Sequence, residues 1–288
     1  MKLCVLIGCH KDFDFVKRII SKLKHKDVDI WLNIDAKANI NNIDFEACHL
    51  VKKRFDVKWG DISQIDTTIN ALKEITKHKE YDRIIFISGQ DYPVKQIEEI
   101  IKFFNKKENK NKEFISYKDA SKNGWDVSYR WERYNSKYKV IKLLSRVLPK
   151  KKFIPGYQPY AGATWFNITG QCAKYIVHKY EEDNFHEHFK TSICIDEVII
   201  PTILMNENSP FKNKIENNIF RYIEWGDHIK GLNNGNPNIL KIDDYKKIIE
   251  SGAFFARKFD PKVDSKIINK LDKYMEKYNE ENTNSNRW

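Results

Sequence analysis

The stretch Arg83-Ile-Ile-Phe-Ile-Ser-Gly-Gln-Asp-Tyr-Pro93 is a continuous apolar run closed by turn-forming residues. An apolar run of that length, without polar alternation, predicts a strand buried on both faces. Gly89, Gln90 and Asp91 ahead of Pro93 predict the turn that ends it. Upstream, Leu3–Cys9 is a second such run, and Phe13, Val16, Ile20 and Leu23 recur at helical spacing over 12–24. Residues 28–34 predict a strand ending at Asp35, and a short strand is expected near 49–51. Asp61 opens a helix to about Lys77 with Ile65, Ile69 and Leu72 on one face, and a helix at 95–105 precedes a strand at 113–117. Strands alternating with helices predict parallel βαβ units and a sheet covered on both faces. Ligands of such sheets bind at the carboxyl ends of the strands. His10, Lys11, Asp35, Lys37, Gln90 and Asp91 are therefore the residues to follow.

The second half breaks this alternation. A basic aromatic stretch, Tyr129–Tyr134, leads to a lysine-rich amphipathic segment, 137–152. An apolar strand is expected over Ala161–Ile168 and a helix over 169–180. Asp196-Glu197 opens an apolar helix through Met205, and the chain ends in a polar helix that is expected to lose order from about Asn279. The fold class expected is α/β: a mostly parallel, Rossmann-like sheet flanked by helices, with an irregular α+β half. Residues 1–280 read as a single domain, with a nucleotide-binding half at 1–118, an acceptor and catalytic half at 119–280, and a disordered tail at 281–288.

Composition narrows the class. The chain has 288 residues, 41% hydrophobic and 32% charged, which excludes a disordered chain and argues against an integral membrane protein. Its five cysteines are odd in number and lack close CxxC pairs, so neither a disulfide framework nor a cysteine zinc site is expected. A reducing, cytoplasmic setting follows from that reading. The net charge of +11 suits an anionic partner: a phosphorylated substrate, a membrane surface or nucleic acid. Strand one is followed by Gly8-Cys-His-Lys11, which is neither GxGxxG nor GxxxxGK[ST], so dinucleotide and P-loop sites are disfavoured.

Taken in order, several motifs form a pattern. They are Cys9-His-Lys11, Asn33-Ile-Asp-Ala-Lys37, Ile87-Ser-Gly-Gln-Asp-Tyr-Pro93 and Gly162-Ala-Thr-Trp-Phe166. Asp196-Glu197, Arg221–Trp225 and Phe255-Ala-Arg-Lys-Phe-Asp260 continue it. Over residues 3–262 this string resembles the family of core-2/I-branching β-1,6-N-acetylglucosaminyltransferases and peptide O-xylosyltransferases. The resemblance implies a GT-A fold and inverting, metal-independent transfer of a sugar, N-acetylglucosamine or xylose first, from a UDP-sugar to a glycan hydroxyl. No anchor, stem or disulfides like those of the family's Golgi members are expected here. The expectation is therefore a bacterial-type, cytoplasmic member acting in surface polysaccharide synthesis.

The resemblance also assigns roles. Glu197 is the expected general base, with Asp196 next. Taken alone, the two read as a helix N-cap and a first-turn residue. Lys258, with Arg257 beside it, is expected at the diphosphate in place of a metal, and no further cofactor is expected. A second diphosphate cation has no clear counterpart, since 236–241 offer only Lys241. Gly8, Cys9, His10, Asp35 and Lys37 are expected at the nucleotide and Asp91 at the donor sugar. Arg130, Trp165, Arg221 and Trp225 are expected at a glycan or lipid-linked glycan acceptor. The strings Asp12-Phe-Asp14 and Asp27-Val-Asp29 read as cap and turn carboxylates, not as a metal site. Segment 137–152 reads first as an ordinary packed helix, with peripheral contact to an anionic membrane as the alternative. The rival functions are a nucleic-acid-binding protein, motivated by the charge, and an inactive scaffold of the same fold; no nucleic-acid partner is expected.

Overall fold

The computed structural model describes residues 1–41, 43–45, 48–121, 126–135, 147–225 and 236–285, with side chains described as far as 276. Strands β1 (Leu3–Cys9), β2 (Val28–Ile34), β3 (Cys48–Leu50) and β4 (Arg83–Ser88) form one parallel block of the sheet. Strands β6 (Glu113–Ile115), β9 (Phe166–Ile168) and β10 (Ile215–Asn217) extend it to the order β10-β6-β9-β4-β1-β2-β3. Strand β9 runs antiparallel to both β4 and β6, so the sheet is mixed at that point.

The apolar runs fill both faces. In β1, Leu3, Val5 and Ile7 enter one core while Cys4 and Leu6 enter the other, the period of two that a pleated strand imposes. β4 does the same with Ile85 and Ile87 against Ile84 and Phe86. Helix α1 (Phe13–Leu23) covers the first face through Phe15, Val16, Ile19, Ile20 and Leu23. Helix α2 (Ser63–His78) covers the second through Ile65, Ile69, Leu72 and Ile75. Each fully buried aliphatic side chain contributes about 1.5–3 kcal/mol. Because β1 feeds a helix on one face and β3 a helix on the other, a crevice is left at the carboxyl ends of β1 and β4, where such sheets bind ligands.

A second sheet of three strands lies beside this rim. Strand β5 (Asp91–Pro93) pairs antiparallel with β12 (Phe255–Arg257), which pairs parallel with β11 (Arg221–Ile223). Strands from beyond residue 119 thus complete both sheets, and the two sequence halves interleave.

The expected strand over Ala161–Ile168 is corrected to two. β8 (Tyr160–Ala161) pairs with β7 (Lys118–Asp119), while β9 joins the main sheet. Gly162 makes the break: a Cβ there would lie 1.8 Å from the Ser116 carbonyl oxygen, so only glycine allows the two backbones to meet. The tail expectation is also corrected in part. The last helix, Lys266–Ser285, runs through 281–285, seeded by Ile267, Ile268, Leu271 and Met275 in the core. Residues 136–146, most of the amphipathic segment, and 286–288 lie outside the described residues.

Candidate active site

The carboxyl ends of β1 and β4 bring Gly8, Cys9, His10 and Lys11 against Ser88, Gly89 and Gln90 in a narrow cleft whose enclosed part is about 30 Å³. It is a shallow groove, well short of the roughly 300–1,000 Å³ of an enclosed ligand pocket. A larger cavity of about 290 Å³, lined by Lys17, Ile20, Lys24 and Phe45 along α1, contains none of the candidate residues. The Asp35 amide donates to the Cys9 carbonyl at 3.0 Å, which ties the end of β2 to the same rim. Lys37 turns from the groove toward Asp56 at 2.6 Å and stays within 3.5 Å of Asp35. Arg54, unmarked by any motif, clamps this loop: its guanidinium donates to the carbonyls of Asp35 at 2.7 Å and Ala38 at 2.5 Å.

The small sheet delivers the cations. Register sets Arg257 opposite Asp91, and Arg221 enters from β11. Arg221 Nε and Arg257 Nε each lie 3.7 Å from Asp91 Oδ1, and the Asp91 side chain is fully buried. Its other oxygen accepts from the Ser88 amide. Both guanidiniums lie against the Trp165 ring, Arg221 at 4.6 Å and Arg257 at 4.3 Å from its centroid. Burial pushes Arg221 down to about 10, against the pull of Asp91. Among the described residues Arg221 Nε and Nη1 and Arg257 Nε have no hydrogen-bond partner. One carboxylate facing two guanidiniums leaves positive charge uncompensated, and Lys258 adds to it. Burial, then Arg257 and Lys11, lower the Lys258 ammonium below the usual lysine range. His10 is likewise lowered by burial, then by Lys11, with Lys258 contributing. The groove is thus electropositive on the Lys258 side, and its cations repel one another until an anion joins them.

Glu197 lies in the first turn of a separate, buried helix. Its helix, Asp196–Met205 (α7 in chain order, after Gly170–Glu182 and Phe185–Phe189), is buried at every position except Glu197. The Glu197 carboxylate pairs with Arg130 Nη1 at 2.6 Å, and its side chain stays 35% exposed. Burial opposes the Arg130 charge, yet Glu197 holds that guanidinium above its ordinary value. Asp196 is not an N-cap: it is the first helical residue, 5% exposed, and accepts from the Thr164 hydroxyl at 2.9 Å. Burial and then Glu197 push Asp196 up to about 6. Of the two carboxylates, Glu197 alone faces solvent.

The expected residues therefore fall into two groups joined by Gly162–Trp165. Gly162 donates its amide to the Glu197 carbonyl at 2.8 Å, Thr164 holds Asp196, and Trp165 carries Arg221 and Arg257. Arg221 corrects its expected place at the acceptor: its side chain is 1% exposed, because Trp165, Phe255 and Asp91 enclose it. Arg130 faces Glu197 first, and Trp165 is half-buried under the guanidiniums. Trp225 is 44% exposed at the end of β11. Asp12 sits beside Lys11 and Lys262, and Asp29 is held by Lys79 and Tyr81. Among the described residues no group of three or more His, Cys, Asp or Glu side chains is arranged to hold a metal ion.

The profile of the Core-2/I-Branching enzyme family matches residues 8–249. Xylosyltransferase oxt of Drosophila pseudoobscura pseudoobscura is 23% identical over 240 residues, covering 75% of this chain and 26% of that protein. Xylosyltransferase 2 of Rattus norvegicus is 23% identical over 273 residues, covering 85% of this chain and 30% of that protein. The chain thus spans under a third of the length of these curated relatives. Among solved structures, the galactosyltransferase LgtC with donor and acceptor sugar analogs overlaps at a TM-score of 0.40 and 9% identity, covering 74% of this chain and 72% of that one.

Proposed function

Because this chain belongs to the Core-2/I-Branching enzyme family, we propose that it is an inverting glycosyltransferase that moves a sugar from a UDP-sugar to a glycan hydroxyl. The GT-A reading of its mostly parallel sheet belongs to the same proposal. One observation carries it: a surplus of cations around Lys258 and Arg257 and a solvent-facing Glu197, joined through the single segment Gly162–Trp165.

Each part answers a demand of the reaction. Glu197 takes the proton of the acceptor hydroxyl as that oxygen attacks the anomeric carbon. The bond from that carbon to the diphosphate oxygen breaks, and UDP departs with the electron pair. Lys258 and Arg257 stabilise the charge that grows on the diphosphate. Arg221 shares Asp91 with Arg257, so the Arg257 charge is not fully spent on that carboxylate. The groove floor at Gly8–His10 and the rim at Asp35 are assigned to the nucleotide, and the Asp91 corner to the donor sugar.

Metal independence is proposed on the same residues. The turn after β4 supplies Asp91, whose carboxylate is enclosed by two guanidiniums and the Ser88 amide, a poor setting for a divalent cation. N-acetylglucosamine and xylose are the donor sugars proposed first, and a surface polysaccharide or lipid-linked glycan is the acceptor class. No helix among the described residues is long and apolar enough to cross a membrane. A cytoplasmic setting is proposed on the five free cysteines. The test is a thermal shift with UDP in EDTA, followed by transfer or hydrolysis assays with UDP-N-acetylglucosamine, UDP-xylose, UDP-glucose and UDP-galactose, with and without Mn²⁺. Stabilisation by UDP in EDTA and turnover without Mn²⁺ are expected; dependence of either on the metal rejects metal independence.

A further inference from the structure

Trp59 is 70% exposed, and Tyr129 is 51% exposed. Large aromatic side chains are costly to leave in water, and neither belongs to a core cluster. Both are placed by the same short segment. The Ile193 amide donates to the Arg130 carbonyl at 2.9 Å, and the next amide, Cys194, donates to the Gly60 carbonyl at 2.8 Å. Tyr129 and Trp59 immediately precede those two acceptors in sequence. They therefore bracket the step that leads into Asp196 and Glu197.

The loop bearing Trp59 is fixed. Gly60 takes φ +70°, a conformation that favours glycine, and its amide donates to the Gln64 side chain. The Lys58 amide donates to Ser63 Oγ at 3.0 Å, and Ser63 donates its own amide to Asp61 at 3.0 Å. Farther back the loop is held by Arg54 and by the Lys37–Asp56 pair. On the other side Tyr129 directly precedes Arg130, the guanidinium that holds Glu197, and lies close enough to interact with it. Two exposed rings thus flank the segment that leads into a carboxylate assigned as a base.

From this arrangement we propose that Trp59 and Tyr129 form an aromatic platform for the pyranose ring of the acceptor, with its hydroxyl directed at Glu197. The inference rests on the glycosyltransferase reading and adds residues to it. A pyranose presents an apolar face of axial C–H groups and a rim of hydroxyls. An indole face takes the first without hydrogen bonds, while Arg130 and the Tyr129 hydroxyl are near for the second. A rigid loop suits such a role, since no ordering of the platform opposes binding.

The experiment uses saturation-transfer-difference NMR on the intact protein with UDP. The probes are the methyl glycosides of glucose, galactose, mannose and N-acetylglucosamine. At least one glycoside is expected to take up saturation through its C–H face. That signal is expected to fall at least about fivefold in Trp59→Ala and to be largely kept in Trp59→Phe. Tyr129→Ala is expected to weaken it as well, and Tyr129→Phe less so. The UDP thermal shift is expected to be the same in every variant, which also confirms that each is folded. Undiminished signal in Trp59→Ala overturns the platform. So does the absence of signal from all four glycosides in wild-type protein that responds to UDP. If UDP itself gives no shift, the nucleotide reading fails, while loss of a glycoside signal in Trp59→Ala still supports the platform.

Discussion

Arg130 Nη1 sits 2.6 Å from the Glu197 carboxylate, and the two side chains are 12% and 35% exposed. The guanidinium fixes the carboxylate at the head of a packed helix and leaves part of it in solvent. A base needs both that placement and that access. Glu197→Gln keeps the shape and removes the proton acceptor. Transfer is expected to fall by about 10²–10⁴-fold in kcat, with the UDP thermal shift retained. Full transfer by this variant would remove Glu197 from the role.

Lys258 is lowered by burial and by Arg257 and Lys11, so it gives up its proton at a lower pH than an ordinary lysine. Bound diphosphate needs the protonated form. UDP affinity is therefore expected to weaken as pH rises on the alkaline side, earlier than a typical lysine would produce. Lys258→Arg removes that alkaline fall, and Lys258→Met lowers affinity at neutral pH by about 10–100-fold. Calorimetric titrations with UDP across pH decide; a flat profile in the wild-type protein contradicts the assignment.

Asp91 is the buried carboxylate facing both Arg221 and Arg257. Asp91→Asn leaves two guanidiniums together without it, and about 3–5 kcal/mol of stability is expected to be lost. Arg221→Met leaves a one-to-one pair and is expected to cost less. The double variant is expected to recover part of the Asp91→Asn loss, as coupled charges do. Urea denaturation of the four proteins measures the cycle, and simple additivity refutes the shared-carboxylate arrangement.

Asp196 is raised to about 6 by burial and by Glu197. A carboxyl raised in the folded state favours folding while protonated. That contribution is full below about pH 4 and lost as pH rises through about 6. Asp196→Asn has no such loss, so its stability relative to wild type is expected to improve from pH 4 to pH 7 by on the order of 3 kcal/mol. Thermal or urea unfolding at both pH values gives the difference directly.

Much of the architecture was legible because the first half repeats one physical signal. Apolar runs at Leu3–Cys9 and Arg83–Ser88 alternate with helical spacing at Phe13–Leu23 and Ile65–Ile75. The break at Gly162 was hidden, because a close approach to Ser116 lies outside local propensity. The cations fared similarly. Arg221, Arg257 and Asp91 were each singled out, yet nothing local reveals that residues so far apart in sequence face one another. Arg54 gave no signal at all, since its partners are backbone carbonyls, which every residue has. Trp59 escaped for a related reason: an isolated tryptophan in sequence does not declare whether it will be packed or left in water.

The Asp196–Met205 helix has a consequence for reading kindred chains. Apolar substitutions along it report on whether the protein can still be assembled, because those positions have no contact with solvent. Position 197 is different: it reaches solvent, and a replacement that still accepts from the buried Arg130 guanidinium leaves the scaffold intact. A relative that retains this helix and has replaced Glu197 is expected to be well formed and chemically silent, or to have recruited its proton acceptor from another wall of the groove.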